Sequence, residues 1–232
     1  MSRRRIVLSV AACALVFAAV ADASVSTDAR RTGKGIDAAS RAHWLKPADA
    51  ARYRGATAAA VAEWPRLPPG RAAVLASVLG EVAAQAGSYT APRALALFSM
   101  LEENEHFLGS HALPKTRIDV TDADGIVYRW FWMRGLQFHP LANFGALNAA
   151  VASGDPDATS RLAEALLARG VPRGTALRWE YYFHFGGPVP WTSGMAQAVA
   201  AQAFSRASAL LSDQSLLTAA TRAYAAVPVG LV

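Results

Sequence analysis

The sequence predicts an all-α protein of helical hairpins, arranged as an (α/α) toroid or as an open array of the same pairs, with one inserted β-hairpin. Three observations predict it. Apolar residues recur at three- and four-residue spacing over most of the chain, the period of a helix that buries one face. Pro and Gly clusters interrupt those stretches at short intervals, so consecutive helices must fold back on one another through short turns. Residues 115–133 depart from the habit, with β-branched and aromatic side chains flanking a turn signal. No repeat of fixed length marks a solenoid.

The chain opens with Arg3, Arg4 and Arg5, then an apolar run from Ile6 to Ala21 and the small-residue triplet Ala21-Asp22-Ala23. This three-part pattern predicts a signal peptide cleaved after Ala23, and so a secreted or periplasmic protein. A membrane anchor needs roughly 20 apolar residues, more than this run supplies, so membrane contact is expected only if the signal stays uncleaved. Cys13 is the only cysteine and leaves with the signal. The mature part then has no thiol for a disulfide, a metal site or nucleophilic catalysis. Residues 1–23 carry three Arg and one Asp, and their loss lowers the formal net charge from +6 to +4. That modest balance suits an anionic polysaccharide. Lys and Arg are scattered, without the basic stripe and interleaved aromatics of a nucleic-acid site, so no nucleic acid is expected.

Residues 24–46 are rich in Ser, Thr, Gly, Lys and Arg and read as a flexible arm. From Pro47 onward the chain reads as one helical domain, residues 47–232. Ala48 to Trp64 forms a first helix, ended by Pro65, Pro68, Pro69 and Gly70. Val74, Leu75, Val78, Leu79 and Val82 make the apolar stripe of a second, closed by Gly87. Pro92 opens a third, whose face carries Leu95, Phe98, Leu101 and Leu108. Ile118, Val120, Ile126, Tyr128, Trp130 and Trp132 favour an extended backbone, with Asp124-Gly125 as the turn of the inserted hairpin. Pro140–Ser153 and Pro156–Arg169 form a helix pair split by Gly154-Asp155. Residues 177–185 read as extended, and Ser193–Leu211 with Asp213–Ala226 form a last pair.

Two motifs suggest metals and fail on inspection. Asp122, Asp124 and Gly125 have calcium-loop spacing, yet Val120 and Phe131 stand where the outer carboxylates belong. Glu102, Glu105, His106 and His111 gather at a helix end without a zinc-site order, and read as solvated charge. Two other runs are dense in polar and aromatic groups. In the first, residues 135–148, Gln137, His139 and Asn143 offer directional hydrogen bonds beside Phe138 and Phe144; the same run also reads as a helix start with His139 inside the core. In the second, residues 179–198, Trp179, Tyr181, Tyr182, Phe183, Phe185 and Trp191 concentrate aromatic surface ahead of a helix capped by Ser193. Period-two alternation puts Glu180, Tyr182 and His184 on one face of that extended stretch.

The stretches Q-F-H-P-L-A-N-F-G-A-L-N and P-W-T-S-G-M-A-Q-A resemble segments of the C-terminal helical domain of D-glucuronyl C5-epimerases, the second being similar to the family core W-x-S-x-M-A-Q-G-Q. The resemblance spans about residues 128–232 and is most specific over 179–210. It implies an (α/α) toroid and inversion at C5 of glucuronate within a polysaccharide, carried out by tyrosines and a glutamate without a metal or organic cofactor. The proton-handling candidates are Glu180, Tyr182 and His184. Arg178 and His139 are the expected partners of the sugar carboxylate and Trp191 the stacking platform, with Gln137, Asn143, Tyr181 and Gln197 completing the sugar-facing set. The family's acidic, tyrosine-rich segments lie downstream of the W-x-S-x-M-A-Q helix, and this sequence reaches Val232 before them. The expected fold is therefore an incomplete (α/α) toroid. The alternative to an epimerase is a non-catalytic polysaccharide-binding module or a truncated paralogue.

Overall fold

The computed structural model describes residues 24–227, so the signal peptide expected at 1–23 lies outside the described residues, as do residues 228–232. Most of the described chain is helical, with a small antiparallel sheet and a short second hairpin.

The first helix, α1, spans residues 24–41. This corrects the flexible arm expected over 24–46. Val25, Thr32, Ile36 and Ala39 are buried, with Ala29 packed against the core. Their spacing is that of one helical stripe. The helix comes close to the turn after the second apolar helix at Gly35, where a β-carbon would strike the Ala86 backbone. Asp37 takes a hydrogen bond from Arg54 at 2.6 Å, tying α1 to α2, Pro47–Glu63.

A short 3-10 turn leads to α3, Pro69–Ala84, whose Val74, Leu75, Val78, Leu79 and Val82 are all buried as the stripe predicts. Helix α4, Ala91–Ser110, is buried around most of its circumference, from Ala94 to Leu108. It packs against α2, α3 and the sheet. A helix buried all round is the centre of its layer, and Tyr53 stacked on Phe98 at 4.4 Å marks where α2 seals it.

The inserted hairpin is present and gains a third strand. Strands β1 (Asp119–Thr121), β2 (Val127–Phe131) and β3 (Gly135–Phe138) form an antiparallel meander. Asp122 shapes the first turn by accepting from the Asp124 and Ile126 amides at 3.0 and 2.9 Å, as an Asx turn does. All four β3 residues are buried, Gln137 included, so the strand has no solvent-facing side.

Helices α5 (Pro140–Ser153) and α6 (Pro156–Ala168) follow as a hairpin, with Gly154 in the left-handed region at the first C-terminus. A two-stranded hairpin, β4 (Val171–Arg173) and β5 (Ala176–Arg178), precedes α7 (Gly194–Leu211) and α8 (Gln214–Tyr224). Helix α7 packs on α5, α6 and α8. Trp179, Phe144 and Phe204 meet at its centre with ring separations of 4.8 to 5.5 Å. Among the described residues no helix is long and apolar enough to cross a membrane.

Buried amide side chains stitch extended segments to helices at three places. Asn104 on α4 donates to the Leu136 carbonyl at 2.7 Å and accepts from its N–H at 2.8 Å. Asn143 on α5 does the same for Val127, both at 2.8 Å. Gln197 on α7 does it for Trp179, at 3.1 and 3.3 Å. Each amide stands in for a neighbouring strand, satisfying a backbone pair that burial would otherwise leave unpaired.

Candidate functional site

The chemistry-bearing run between β5 and α7 lines a groove of about 960 Å³. Its floor is an ion pair that joins distant parts of the chain. Arg93, in the first turn of α4, donates from Nε and Nη2 to the two oxygens of Glu180, each at 2.8 Å. The two side chains are only 14% and 10% exposed. Arg93 also donates to the Ser88 carbonyl at 2.8 Å, which fixes the guanidinium plane. A bidentate, largely dry pair of this kind is geometrically rigid.

Two further cations line the groove, Arg173 on β4 and Arg178 on β5. The pairings Val171 with Arg178 and Arg173 with Ala176 alternate with Pro172 opposite Leu177, so both arginines lie on one face of the hairpin. Neither forms an ion pair among the described residues, and the Arg178 Nε is buried without a hydrogen-bond partner.

Trp191 forms the facing wall. Its ring stacks on Tyr181 at 4.1 Å and 9°, and its indole N–H donates to the Phe183 carbonyl at 2.7 Å. Backbone bonds of 2.8 and 3.1 Å between Tyr181 and Trp191 hold the two segments in register. Phe185, 77% exposed, lies 5.7 Å from the Trp191 ring, and Met195 is 65% exposed on the first turn of α7. Ser193 caps that helix by accepting from the Ala196 amide at 3.3 Å. The groove thus gathers two cations that form no ion pair among the described residues with an aromatic and apolar lining.

Of the sequence-derived candidates, Arg178, Glu180 and Trp191 line the groove. The expected alternation holds for two residues and then fails. Tyr182 points the same way as Glu180 but lies behind it, wholly buried, its hydroxyl donating to Glu180 at 3.4 Å. Burial, with the Glu180 charge added, pushes the Tyr182 phenol well above its usual range. It is therefore a neutral hydrogen-bond donor that positions Glu180. His184 leaves the groove altogether, because the chain turns after Phe183; it is exposed, with Nδ1 at 3.3 Å from the Gly187 carbonyl.

The remaining candidates are corrected by what holds them. Asn143 and Gln197 spend their amides on Val127 and Trp179 inside the core, as described above. Gln137 is fully buried and donates to Glu81 at 2.7 Å and to the Arg134 carbonyl at 2.7 Å. Burial pushes the Glu81 carboxyl up to about 7. His139 is the N-cap of α5, with Nδ1 accepting from the Ala142 amide at 3.1 Å. Burial, helped by the Arg129 charge, pulls its imidazole down to about 4. A neutral ring with Nδ1 accepting is what a cap requires. Tyr181 lies beneath Trp191, 3% exposed, its hydroxyl accepting from the Leu141 amide at 3.3 Å. Burial pushes its phenol up to about 12.

Arg93 and Arg173 were not among the sequence candidates. Arg93 did carry a signal: a cation in the first turn of a helix is opposed by the helix dipole, so it needs an anionic partner elsewhere. Of the cluster expected at a solvated helix end, Glu102 lies instead within α4, two turns before its end, and receives a bidentate contact from Arg52, with Nε to Oε1 at 3.0 Å.

Residues 173–230 match the model of a family described as the D-glucuronyl C5-epimerase C-terminus. The matched part begins at Arg173, includes the groove's aromatic wall, and is similar to the C-terminal domain of D-glucuronyl C5-epimerases. No curated protein and no solved structure matches the chain.

Proposed function

We propose that this is a D-glucuronyl C5-epimerase-like protein, exported from the cytoplasm, that holds a uronate-containing polysaccharide in the groove beside Trp191. The observation that carries this reading is the pairing of Arg173 and Arg178, both without acidic partners among the described residues, with the half-buried Trp191 ring and the exposed Phe185. A uronate presents a carboxylate for the guanidinium forks and an apolar ring face for the indole. The match over residues 173–230 adds the substrate class, and the Arg3-Arg4-Arg5 start with its apolar run supports export. The hairpins α5–α6 and α7–α8, each closed by a tight turn, support an (α/α) toroid as the architecture.

Inversion at C5 needs a base for the hydrogen α to the carboxylate, cations to stabilise the charge that then spreads onto the carboxylate oxygens, and an acid on the opposite face. Arg173 and Arg178 supply the cations. Glu180 is the carboxylate in the groove, positioned by Arg93 and Tyr182. A non-catalytic binding module is the second reading, favoured by one feature: both Glu180 oxygens are already engaged by Arg93. Incubation with a glucuronate-containing polymer in deuterated water separates the two. The epimerase-like reading expects deuterium at C5, lost in Glu180→Gln. Binding without deuterium in the unaltered protein sinks that reading and leaves the module.

A further inference from the structure

The structure holds a second cationic and aromatic cleft, of about 250 Å³, between the turn that joins β2 to β3 and the segment entering β1. We infer that it is a second subsite for the same acidic polysaccharide, taking another anionic sugar of the chain held in the Trp191 groove; the inference rests on that assignment of the groove.

Lys115 and Arg117 line the cleft, both exposed, and neither forms an ion pair or a side-chain hydrogen bond among the described residues. The neighbouring Asp119 carboxylate does not cancel them. Asp119 is taken by Arg129, with two contacts of 2.7 Å, so a positive excess remains at the cleft. Trp132 faces it at 66% exposure. It is not a loose side chain on a floppy loop. The Arg134 amide closes the turn on the Phe131 carbonyl at 3.0 Å, and Met133 takes a positive φ of 59° within it. A large indole left in water on a tight turn, next to two unpaired cations, fits an anionic ligand with an apolar face, which is what an acidic sugar presents.

The second observation is continuity with the groove. Phe131 lines this cleft, and its ring lies 4.9 Å from that of Phe183. Phe183 in turn lies 5.7 Å from Trp191, the wall of the groove. One buried ring therefore separates the two surfaces, and a polymer chain spans such a gap. Subsites joined by one ligand act together, since the second contact is intramolecular once the first has formed.

The inference is tested by NMR titration of the protein with a disaccharide and an octasaccharide of a glucuronate-containing polymer, and with a neutral octasaccharide. The octasaccharide is expected to bind about tenfold more tightly than the disaccharide. Replacing Arg117→Ala together with Trp132→Ala removes most of that gain and leaves disaccharide affinity unchanged. Trp191→Ala weakens both lengths. A gain that survives in the double variant, a wild-type protein that shows none, or an equal gain with the neutral octasaccharide overturns the second subsite and leaves the groove standing. Failure of the disaccharide to bind the unaltered protein overturns the groove assignment, and the subsite with it. Thermal melting checks the fold of the double variant; should it unfold, the exposed charge reversal Lys115→Glu is read in its place, with the same outcomes deciding.

Discussion

Arg93→Ala is expected to destabilise the protein by about 3–5 kcal/mol, the effect of leaving a largely buried carboxylate without its partner. Glu180 is 10% exposed at its side chain and receives both guanidinium contacts, and the Ser88 carbonyl loses its donor at the same time. Urea denaturation measures the loss. Arg93→Met combined with Glu180→Leu is expected to recover most of it, because a neutral pair has no desolvated charge to strand. The comparison separates two accounts of the pair. A loss below about 1 kcal/mol would be the behaviour of a solvated surface pair and would mean that water reaches the groove floor freely.

Gly135→Ala is expected to cost about 3 kcal/mol or more, from two causes that add at one position. Gly135 has a φ of 75°, a conformation that strains any residue with a β-carbon. A β-carbon there would also collide with the Asn104 side-chain oxygen and come to 3.0 and 3.1 Å from Val74 and Val78. Asn104 cannot retreat without releasing the Leu136 N–H, which would leave a buried donor unpaired. In a domain of this size such a loss lowers the melting temperature by roughly 6–12 °C. Gly145→Ala is the control, since nothing lies within 4 Å of a β-carbon at that helical, exposed site; it is expected to be neutral or stabilising by about 0.5–1 kcal/mol. Equal melting of the two variants would contradict the packing described around β3.

The sequence was most readable where one residue type alone decides the backbone. Pro140 and Pro156 begin α5 and α6 where first-turn prolines belong, and Gly154 stops the first of them. The α3 stripe was legible because its apolar residues are large. Helix α1 was not, since Gly33, Lys34 and Gly35 interrupt a stripe that includes Ala29 and Thr32, whose small or polar side chains carry little hydrophobic signal. Strand β3 was hidden for the opposite reason, being buried on both faces.

The site divides along the same line. Trp191 and Glu180 were found because they stand within one aromatic run, and Arg178 because it adjoins it. Arg93 reaches the groove across 87 residues, a contact no local spacing can announce. The polar residues Gln137, Asn143 and Gln197 misled because a buried amide that clamps backbone and an amide that binds sugar look alike in sequence. What separates them is whether both ends of the amide are already engaged, as they are for Asn143 and Gln197.

The central claim is that the groove recognises a sugar by its carboxylate. Its most direct test is an NMR titration comparing a glucuronate-containing oligosaccharide with the same oligosaccharide whose carboxyls have been reduced to alcohols. The account predicts that the acidic form perturbs the Trp191 indole and the Arg173 and Arg178 guanidinium signals, that its affinity falls as salt is raised, and that the reduced form binds at least about tenfold more weakly, the effect of losing a charge-assisted hydrogen bond. Equal affinity for the two forms, or shifts confined to residues away from the groove, would contradict it.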